Sequence, residues 1–406
     1  MHSTSPRLPL ILLLLTTFVL RLGWSLSRPV DDASLRQLPD QVEYLAIARN
    51  VLKGSGFVFF DEGFQQAVVA YRMPGYPLLV AACGAKVPVV RIVQCLIDAS
   101  AVLAVYGLAR RPLGRGAALL AGAMVAFNPY LVYFSSTLLS ETLFGGLLVW
   151  GMLGLVHGGR LAWWGGAVML LAAIYVRPSA IALPALLAAA APLVRPPPPR
   201  PATAVRRYLL TGGGLAMLLL TIGALLPWAL RNRALLGEWV WTTTNGGITA
   251  YDGLNPRADG SSSQGHFRNW TELKLMNEVA RSNYLSALAR TYAAVHSERL
   301  PELMARKFGR LWSPVPLSSE FGSRPVYVAA GLAYAAPVLT LTLVGLLRGG
   351  GGRSLKMYVL LPAVYFTLVH MATVGSLRYR VPADIPMAVV AASGATVVLN
   401  RLRSRS

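Results

Sequence analysis

Charged residues are scarce in this chain, and acidic residues are the scarcest of them. Asp, Glu, Lys and Arg make up 14% of the 406 residues, with 17 acidic against 38 basic side chains. The two cysteines, Cys83 and Cys95, lie in apolar sequence, so neither a disulfide framework nor a cysteine-ligated metal cluster is indicated. No Walker loop, nucleophile elbow or dinucleotide fingerprint occurs, which argues against the common nucleotide-binding and hydrolase classes.

Apolar residues are abundant instead. They form 54% of the chain, and the mean hydropathy is +0.51, which is typical of a polytopic membrane protein. The first apolar run is short and Arg21 interrupts it, so a cleaved signal peptide is an alternative there. A stretch at 73–85 contains two prolines and predicts a re-entrant or interfacial helix. We predict ten spans, at 8–26, 88–109, 116–133, 139–156, 163–176, 178–194, 208–228, 326–347, 355–373 and 382–399.

The distribution of charge predicts the orientation of these spans. With the N-terminus inside, the six cytoplasmic segments hold 15 Lys or Arg and no Asp or Glu, as the positive-inside rule requires. The C-terminus is then also cytoplasmic. The net charge of +21 is therefore partly a topology signal, and we predict no nucleic-acid partner. High Ala, Arg and Gly usage favours a bacterial source and hence the inner (plasma) membrane.

The topology divides the chain into three parts. We predict an N-terminal membrane core at 1–228 that includes a first outer, periplasmic loop at 27–87. An outer region at 229–325 follows, in which apolar residues at helical spacing over 270–312 predict amphipathic helices on the outer leaflet. Residues 326–406 are C-terminal membrane helices with a short basic cytoplasmic tail. The proline-rich segment 195–201 is predicted to be a stiff cytoplasmic turn.

The first outer loop contains the stretch PDQVEYLAIARNVLKGSGF at 39–57, which predicts a helix along the membrane face. Asp40 and Glu43 have the spacing of a capping box, and Gly54 and Gly56 end the helix. Asp98 is the one acid inside a span, and we expect Arg91 or Gln94 to be its partner.

Seven motifs in order carry a resemblance to a known family. They are DxxEYLAIAxNxLxGxGF from Asp40, RMPGYPLLVA at 72–81, NPYLVYFSSTLLSETLF at 128–144, YVRPSA at 175–180, PWALRN at 227–232, TTTNGG at 242–247 and LRYRVPADIP at 377–386. The chain thereby resembles the GT-C glycosyltransferases, and in particular the bacterial 39-like branch related to protein O-mannosyltransferases and aminoarabinose transferases. The resemblance implies an all-α bundle of about ten transmembrane helices with two larger outer loops that carry amphipathic helices.

The resemblance also implies an activity: transfer of a sugar from a polyprenyl-phosphate donor to a hydroxyl of a cell-envelope acceptor at the outer face, with inversion. Such a reaction needs a carboxylate as general base. Asp40 matches the family's first-loop acid and Glu141 the acid of the second outer loop, so both are predicted to be catalytic; capping of a helix is the alternative role for each. Glu43 is either a substrate contact or the capping partner of Asp40, and Tyr44 lies either at the sugar or in the interfacial aromatic belt.

Guanidinium groups suit phosphate oxygens because they are always charged and bind in a bidentate manner. The other predicted substrate contacts are Arg72, Tyr76, Arg177, Arg231, Asn232, Arg378 and Arg380, of which the arginines map to outer span ends, where anchoring to lipid headgroups is the alternative role. No DxD-like pair occurs, so we predict no metal and no cofactor, although a divalent cation stays open. A transporter or flippase of lipid-linked sugars is the alternative function, but no internal repeat favours it.

The orientation is testable by cysteine labelling in a variant without Cys83 and Cys95. Cysteines at 111, 200, 350 and 404 should be protected from an impermeant reagent added outside, while those at 62, 260 and 320 should react. The reason is that the assigned inner segments hold 15 basic and no acidic residues. Outside labelling at 200 or 350 would contradict this topology.

Overall fold

The computed structural model describes residues 7–194, 203–318 and 322–404, and it is almost entirely helical. The predicted turn at 195–201 lies outside these residues. The helices are α1 (Leu8–Leu26), α2 (Asp32–Arg36), α3 (Pro39–Leu52), α4 (Gly75–Ala82), α5 (Val87–Ala126), α6 (Pro129–Ser135), α7 (Glu141–His157), α8 (Arg160–Val176), α9 (Leu183–Val194), α10 (Thr203–Leu236), α11 (Asn245–Gly253), α12 (Gly265–Arg268), α13 (Thr271–Leu275), α14 (Glu278–Val295), α15 (Leu300–Trp312), α16 (Pro325–Arg348), α17 (Gly352–Ala372) and α18 (Leu377–Arg403). Two short antiparallel strands, β1 (Phe59–Asp61) and β2 (Gln66–Val68), form a hairpin in the first outer loop, with Phe60 opposite Ala67.

The prediction of an all-α polytopic membrane protein is confirmed. Among the described residues, six helices are long and apolar enough to cross a membrane: α1, α5, α16, α17, α18 and the part of α10 from Gly212 to Leu236. Three shorter apolar helices, α7, α8 and α9, lie between them in the chain. The number of ten spans stays a prediction, because length and composition alone do not fix which helices cross.

Several predicted boundaries differ from the structure for local reasons. Helix α5 is 40 residues long and covers one predicted span and most of the next, with a kink at Gly114, whose φ of 82° lies in the left-handed region. The predicted span 116–133 ends early, at Ala126, because Asn128 caps a new helix with its side chain. The predicted span 178–194 begins with a 3₁₀ turn, and the regular helix starts only at Leu183.

Helix α18 lies at the centre of the membrane bundle. Residues 380–394 are all buried in succession, so this helix meets neighbours on every side. At Gly394 the α16 backbone comes so close that a Cβ atom would lie 2.0 Å from the carbonyl oxygen of Leu341. Small residues permit such backbone contact, which is how membrane helices pack in the absence of a hydrophobic drive between them.

Arg21, which interrupts the first apolar run, is fully buried in the bundle. Its guanidinium group binds the Asp98 carboxylate of α5 and donates to the carbonyl oxygens of Ala126 at 2.7 Å and Val125 at 3.0 Å. The expectation that Arg91 or Gln94 pairs with Asp98 is therefore wrong. The spacing of these two on Asp98's own helix suggested the pairing, but Arg21 on α1 reaches the carboxylate across the bundle.

The two outer loops fold together into a second core. Phe59, Phe64 and Tyr71 from the first loop pack against α11, α13 and α14 of the second loop. Much of the apolar side predicted for 270–312 faces this protein core: Leu273 and Tyr292 are buried, and Leu288 packs against the cluster. Tyr284, Val295, Met304 and Phe308 of the same stretch are exposed, so contact of these helices with the outer leaflet stays a prediction.

A matched pair of glycines tests the packing of this outer core. A Cβ at Gly247 on α11 would lie 1.9 Å from the carbonyl oxygen of Ser282 on α14, whereas a Cβ at Gly246 meets nothing within 4 Å. Gly247→Ala should destabilise the protein by about 1–3 kcal/mol or more, because overpacking forces the two helices apart. Gly246→Ala is the control and should leave the thermal unfolding midpoint in detergent unchanged or raise it. Equal midpoints for the two variants would contradict the observed contact between α11 and α14.

Candidate active site

Helix α3 presents acidic side chains from its first turn to the space between the outer loops and the membrane bundle. The helix is capped at Leu38, with Pro39 at its first position, and no side chain caps it. The predicted capping box of Asp40 and Glu43 is therefore wrong. Both carboxylates bind Arg72 instead, with Nη2 of Arg72 2.5 Å from Asp40 Oδ1 and Nε 2.6 Å from Glu43 Oε2.

The ionic contacts continue from Asp40 into the membrane bundle. Asp40 Oδ2 accepts a bond of 2.8 Å from Nη1 of Arg378, in the first turn of α18. Arg378 Nε also binds Oε1 of Glu141, the first residue of α7, and the same oxygen accepts a bond of 2.6 Å from Nη2 of Arg177 at the end of α8. We call this set the ionic network: Glu43, Arg72, Asp40, Arg378, Glu141 and Arg177, in the order in which they touch.

The ionic network joins parts of the chain that are far apart in sequence. Three acids alternate with three arginines, so its formal charge is zero. The contact between Asp40 and Arg378 spans 338 positions and ties the first outer loop to the last membrane helix. Arg177 is held further by the Ser140 hydroxyl, which accepts a bond of 3.0 Å from its Nε. The starts of α7 and α18 and the end of α8 thus meet at one end of the bundle.

The two carboxyl groups of α3 have opposite pKa shifts. Burial raises the pKa of Asp40, but the guanidinium groups of Arg72 and Arg378 outweigh it and hold the pKa well below its usual range. Burial also raises the pKa of Glu43; Arg72 lowers it and the neighbouring Asp40 charge raises it, and the net pKa lies above the usual value. Asp40 therefore stays ionised to low pH, whereas Glu43 binds a proton more readily.

A large cavity of about 1230 Å³ extends from the ionic network towards the membrane helices. At one end Asp40, Glu43, Arg72 and Arg378 line it, together with polar residues of the second outer loop: Asn245, Thr249, Asp252, Ser262 and Gln264. Apolar side chains from α1, α6, α16 and the segment just before α6 line the other end. They are Leu20, Trp24, Phe127, Val132, Phe134, Val326 and Ala330. The cavity therefore has a charged end and an apolar end.

A small cavity of about 180 Å³ adjoins the large one at the ionic network. Asp40, Arg72 and Arg378 line both cavities, and Arg177 and Tyr44 line only the small one. Further lining residues are Ser179, Thr243, Asn245, His370, Thr373 and Tyr379. The wall between the two spaces thus consists of Asp40 and two arginines together with several of the aromatic and polar side chains that line both.

Four of the predicted substrate contacts lie outside both cavities. Tyr76 is buried and donates to Oε1 of Gln94 at 2.7 Å. Arg231 donates to the carbonyl oxygen of Val69 at 2.7 Å, and Asn232, also buried, donates to that of Val240 at 2.8 Å. Arg380 pairs with Asp384 at 3.1 Å and donates to the carbonyl oxygens of Leu311 and Ser313. The structure thus brings together Asp40, Glu43, Tyr44, Arg72, Glu141, Arg177 and Arg378. Of the other four, Arg231, Asn232 and Arg380 hold backbone segments, and Tyr76 binds the Gln94 side chain.

Sequence reasoning did not single out several residues that line the cavities. Asn245 and Tyr379 lie within the quoted motifs TTTNGG and LRYRVPADIP, so the motifs contained the signal although the residues were not named. His370 stacks on Tyr379 with ring centroids 4.0 Å apart. Asp252 accepts bonds from the Ser262 hydroxyl and the Ser263 amide. Nothing in the local sequence marks His370 or Asp252.

The donor set of the site does not suit a divalent cation. Both oxygens of Asp40 are bound to guanidinium groups, and an arginine stands between each pair of neighbouring acids in the ionic network. Throughout the described ranges, no group of three or more His, Cys, Asp or Glu side chains is placed to hold a metal ion.

Comparisons with known proteins bear on the fold. No protein-family model and no curated protein sequence matches the chain. Two solved structures from Archaeoglobus fulgidus match nearly all of it: the oligosaccharyltransferase in the apo form (TM-score 0.55, 12% identity, 99% of this chain and 51% of that one) and the oligosaccharyltransferase AglB in complex with an inhibitory peptide and a dolichol-phosphate (TM-score 0.53, 13% identity, 98% and 51%). ArnT from Cupriavidus metallidurans bound to undecaprenyl phosphate matches with a TM-score of 0.42 at 14% identity, over 93% of this chain and 78% of that one.

At these identities the likeness concerns the fold alone, and the chain spans about half the length of the archaeal proteins. The archaeal pair are oligosaccharyltransferases of the GT-C type, and their match extends over nearly every residue of this chain. The resemblance first carried by the sequence motifs thus holds at the level of the fold: this is a multi-pass membrane protein with the GT-C glycosyltransferase fold.

Proposed function

We propose that the protein transfers a sugar from a polyprenyl-phosphate donor to an acceptor hydroxyl at the outer face of the membrane. The observation that supports this proposal most is the large cavity, whose charged end is the ionic network and whose apolar end lies between helices α1, α6 and α16. A lipid phosphate has the same division, with an anionic head and an apolar chain. The apolar side chains at that end would pack against such a chain.

The arginines of the ionic network have donors left for a phosphate. Nη1 of Arg72 and Nη2 of Arg378 have no acceptor among the described residues, although the other guanidinium nitrogens of both are bound to carboxylates. Both residues line the large cavity. A phosphate placed there would accept charge-assisted bonds from two guanidinium groups whose orientation is already fixed, so little reorganisation would accompany the departure of the phosphate.

The remaining groups suit the rest of the reaction. The acceptor oxygen attacks the anomeric carbon while the bond to the phosphate oxygen breaks, and a carboxylate of the ionic network takes the hydroxyl proton. A single displacement of this kind inverts the anomeric centre. Tyr44, Asn245 and Tyr379 present aromatic and amide groups to the small cavity, where a sugar ring beside the phosphate would find both stacking and hydrogen-bonding partners.

The activity is tested with purified protein in lipid nanodiscs. Labelled polyprenyl-phosphate monosaccharides are supplied together with a cell-envelope extract, and labelled products are identified by mass spectrometry. We expect label to move from the lipid to an acceptor. In proteoliposomes, movement of the intact lipid-linked sugar between leaflets without transfer would support a flippase and contradict the proposal.

A pair of arginines tests where the donor phosphate binds. Arg72→Ala should weaken donor binding by roughly 10–100-fold, since a hydrogen bond to a charged group contributes about 1.5–3 kcal/mol. Arg72→Lys should recover only part of this, because the fork of donors is lost. Arg380→Lys is the control: Arg380 lies outside both cavities, so donor affinity should hold even if the unfolding midpoint falls. Equal donor affinities for wild type and both Arg72 variants would remove Arg72 from the phosphate site.

Glu141 lies behind the arginines rather than in a cavity. Its side chain has no exposed surface, its Oε1 accepts from Arg177 and Arg378, and its Oε2 is buried without a partner in the described part of the chain. We therefore infer that Glu141 positions the two arginines, although the sequence predicted a catalytic role. Glu141→Gln should raise the donor KM more than it lowers kcat, with a lower unfolding midpoint. A loss of kcat of about 10³-fold at unchanged donor affinity would instead support the catalytic role.

A further inference from the structure

The three carboxylate groups of the ionic network differ in the number of oxygens that are free to accept a proton. Asp40 has none to spare, because Oδ1 is bound to Arg72 and Oδ2 to Arg378. Glu141 has one oxygen without a partner, but that atom is buried and the residue lines neither cavity. Glu43 binds Arg72 through Oε2 alone.

The second oxygen of Glu43 is therefore the exception. Glu43 lines the large cavity, and its Oε1 has no hydrogen-bond partner among residues 7–194, 203–318 and 322–404. It is not among the buried atoms that lack a partner, so this oxygen is open to the cavity. The ionic network thus presents one unoccupied carboxylate oxygen to the space where an acceptor would lie.

We propose that Glu43, through Oε1, is the general base that takes the acceptor's proton, and that Asp40 fixes the arginines that bind the donor phosphate. This inference rests on the proposed sugar transfer. It differs from the expectation that Asp40 is the base, which was based on the position of the first-loop acid. Both residues stand on the first turns of α3, three positions apart, and so face the same cavity.

The step balances without a further reactant. The acceptor O–H bond breaks, its proton passes to Glu43 Oε1, and the acceptor oxygen forms a bond to the anomeric carbon. The bond from the anomeric carbon to the phosphate oxygen breaks at the same time, and the phosphate keeps the electron pair. Arg72 and Arg378 stabilise the added negative charge on the phosphate, and Glu43 later releases its proton to water.

Arg72 also fixes the geometry of the base. Its Nε holds Oε2 of Glu43 at 2.6 Å, which orients the other oxygen. The same guanidinium group has Nη1 left for the donor phosphate, so one side chain orients both the base and the leaving group. A carboxylate held by one arginine contact is also a better proton acceptor than one held by two, because each cation favours the ionised form.

The pH dependence of turnover separates the two candidates. Burial and four neighbouring groups affect the pKa of Glu43: Arg72, Asp40 on its own helix, Asp61 on β1 and Tyr71. Burial and the neighbouring acids raise this pKa and Arg72 lowers it, and the net pKa lies above the usual value. A base must be deprotonated, so activity is lost as the pH falls through its pKa. With Glu43 as base, kcat should begin to fall above about pH 4.3, the usual value for Glu. With Asp40 as base, whose pKa is lowered, kcat should persist below about pH 3.9.

The experiment compares Glu43→Gln and Asp40→Asn with wild type in the nanodisc assay, using the polyprenyl-phosphate monosaccharide on which the wild type is active. Glu43→Gln should lower kcat by about 10²–10⁴-fold and leave donor affinity within a few-fold, since general-base catalysis contributes that much. Asp40→Asn should mainly raise the donor KM. Glu62→Gln is the matched control, because Glu62 is an exposed acid of the same outer loop, and it should behave as wild type. In Glu43→Ala, added formate should restore part of the turnover.

Each result supports or overturns the inference. Near-wild-type kcat in Glu43→Gln, or a wild-type kcat that persists below pH 3.9, overturns it and restores Asp40 as the base. The wild-type pH profile gives this answer even where the variants do not fold. A wild type that transfers no sugar from any donor overturns the proposed function and this inference together, whereas an active wild type with an active Glu43→Gln overturns the inference alone.

Discussion

The contact between Asp40 and Arg378 is the interaction on which the site depends. It joins the first outer loop to the start of the most buried helix, and each partner is also held by a second charged group. Removing charges from water is costly, and a buried ion whose partner is deleted is strongly destabilising. The alternation of three acids with three arginines meets this cost, because every charge in the ionic network touches an opposite one. A site of fixed guanidinium groups is the result.

The backbone that carries Arg378 is fixed by close packing as well as by charge. Residues 373–376, which precede α18, lie against the second outer loop and α15. The Gly375 amide donates to the Gly260 carbonyl oxygen at 3.0 Å, and a Cβ at Gly253 would lie 2.0 Å from the carbonyl oxygen of Thr373. Lys307 of α15 is buried there, and burial lowers its pKa to about 8. The second outer loop therefore sets the position of Arg378 without supplying a residue to the ionic network.

The sequence predicted the structure well where a residue pattern has a single physical explanation. Apolar runs and the placement of basic residues predicted the membrane class, and the ordered motifs predicted the GT-C fold. The motifs also contained all six members of the ionic network. The ion-pair partners of charged residues were harder to predict from the sequence. Asp98 pairs with Arg21 across the bundle, and Asp40 pairs with Arg378 across almost the whole chain. Local spacing suggested a helix cap for Asp40, and only the folded chain places two arginines against it. The same holds for Arg231 and Arg380, whose partners are backbone carbonyl groups that spacing does not predict.

Strong pairing and basicity oppose each other in such a site. A carboxylate between two arginines is reliably ionised and rigid, but its pKa falls, and a weak base takes a proton poorly. Asp40 has these properties, and they suit a group that orients phosphate-binding arginines. A base needs an oxygen that is open to the acceptor and a pKa nearer to the working pH, which a single arginine contact and partial burial provide at Glu43. A helix that presents two acids three positions apart to one arginine can therefore divide the two tasks between them, the more strongly paired acid holding the cations and the other keeping an oxygen free.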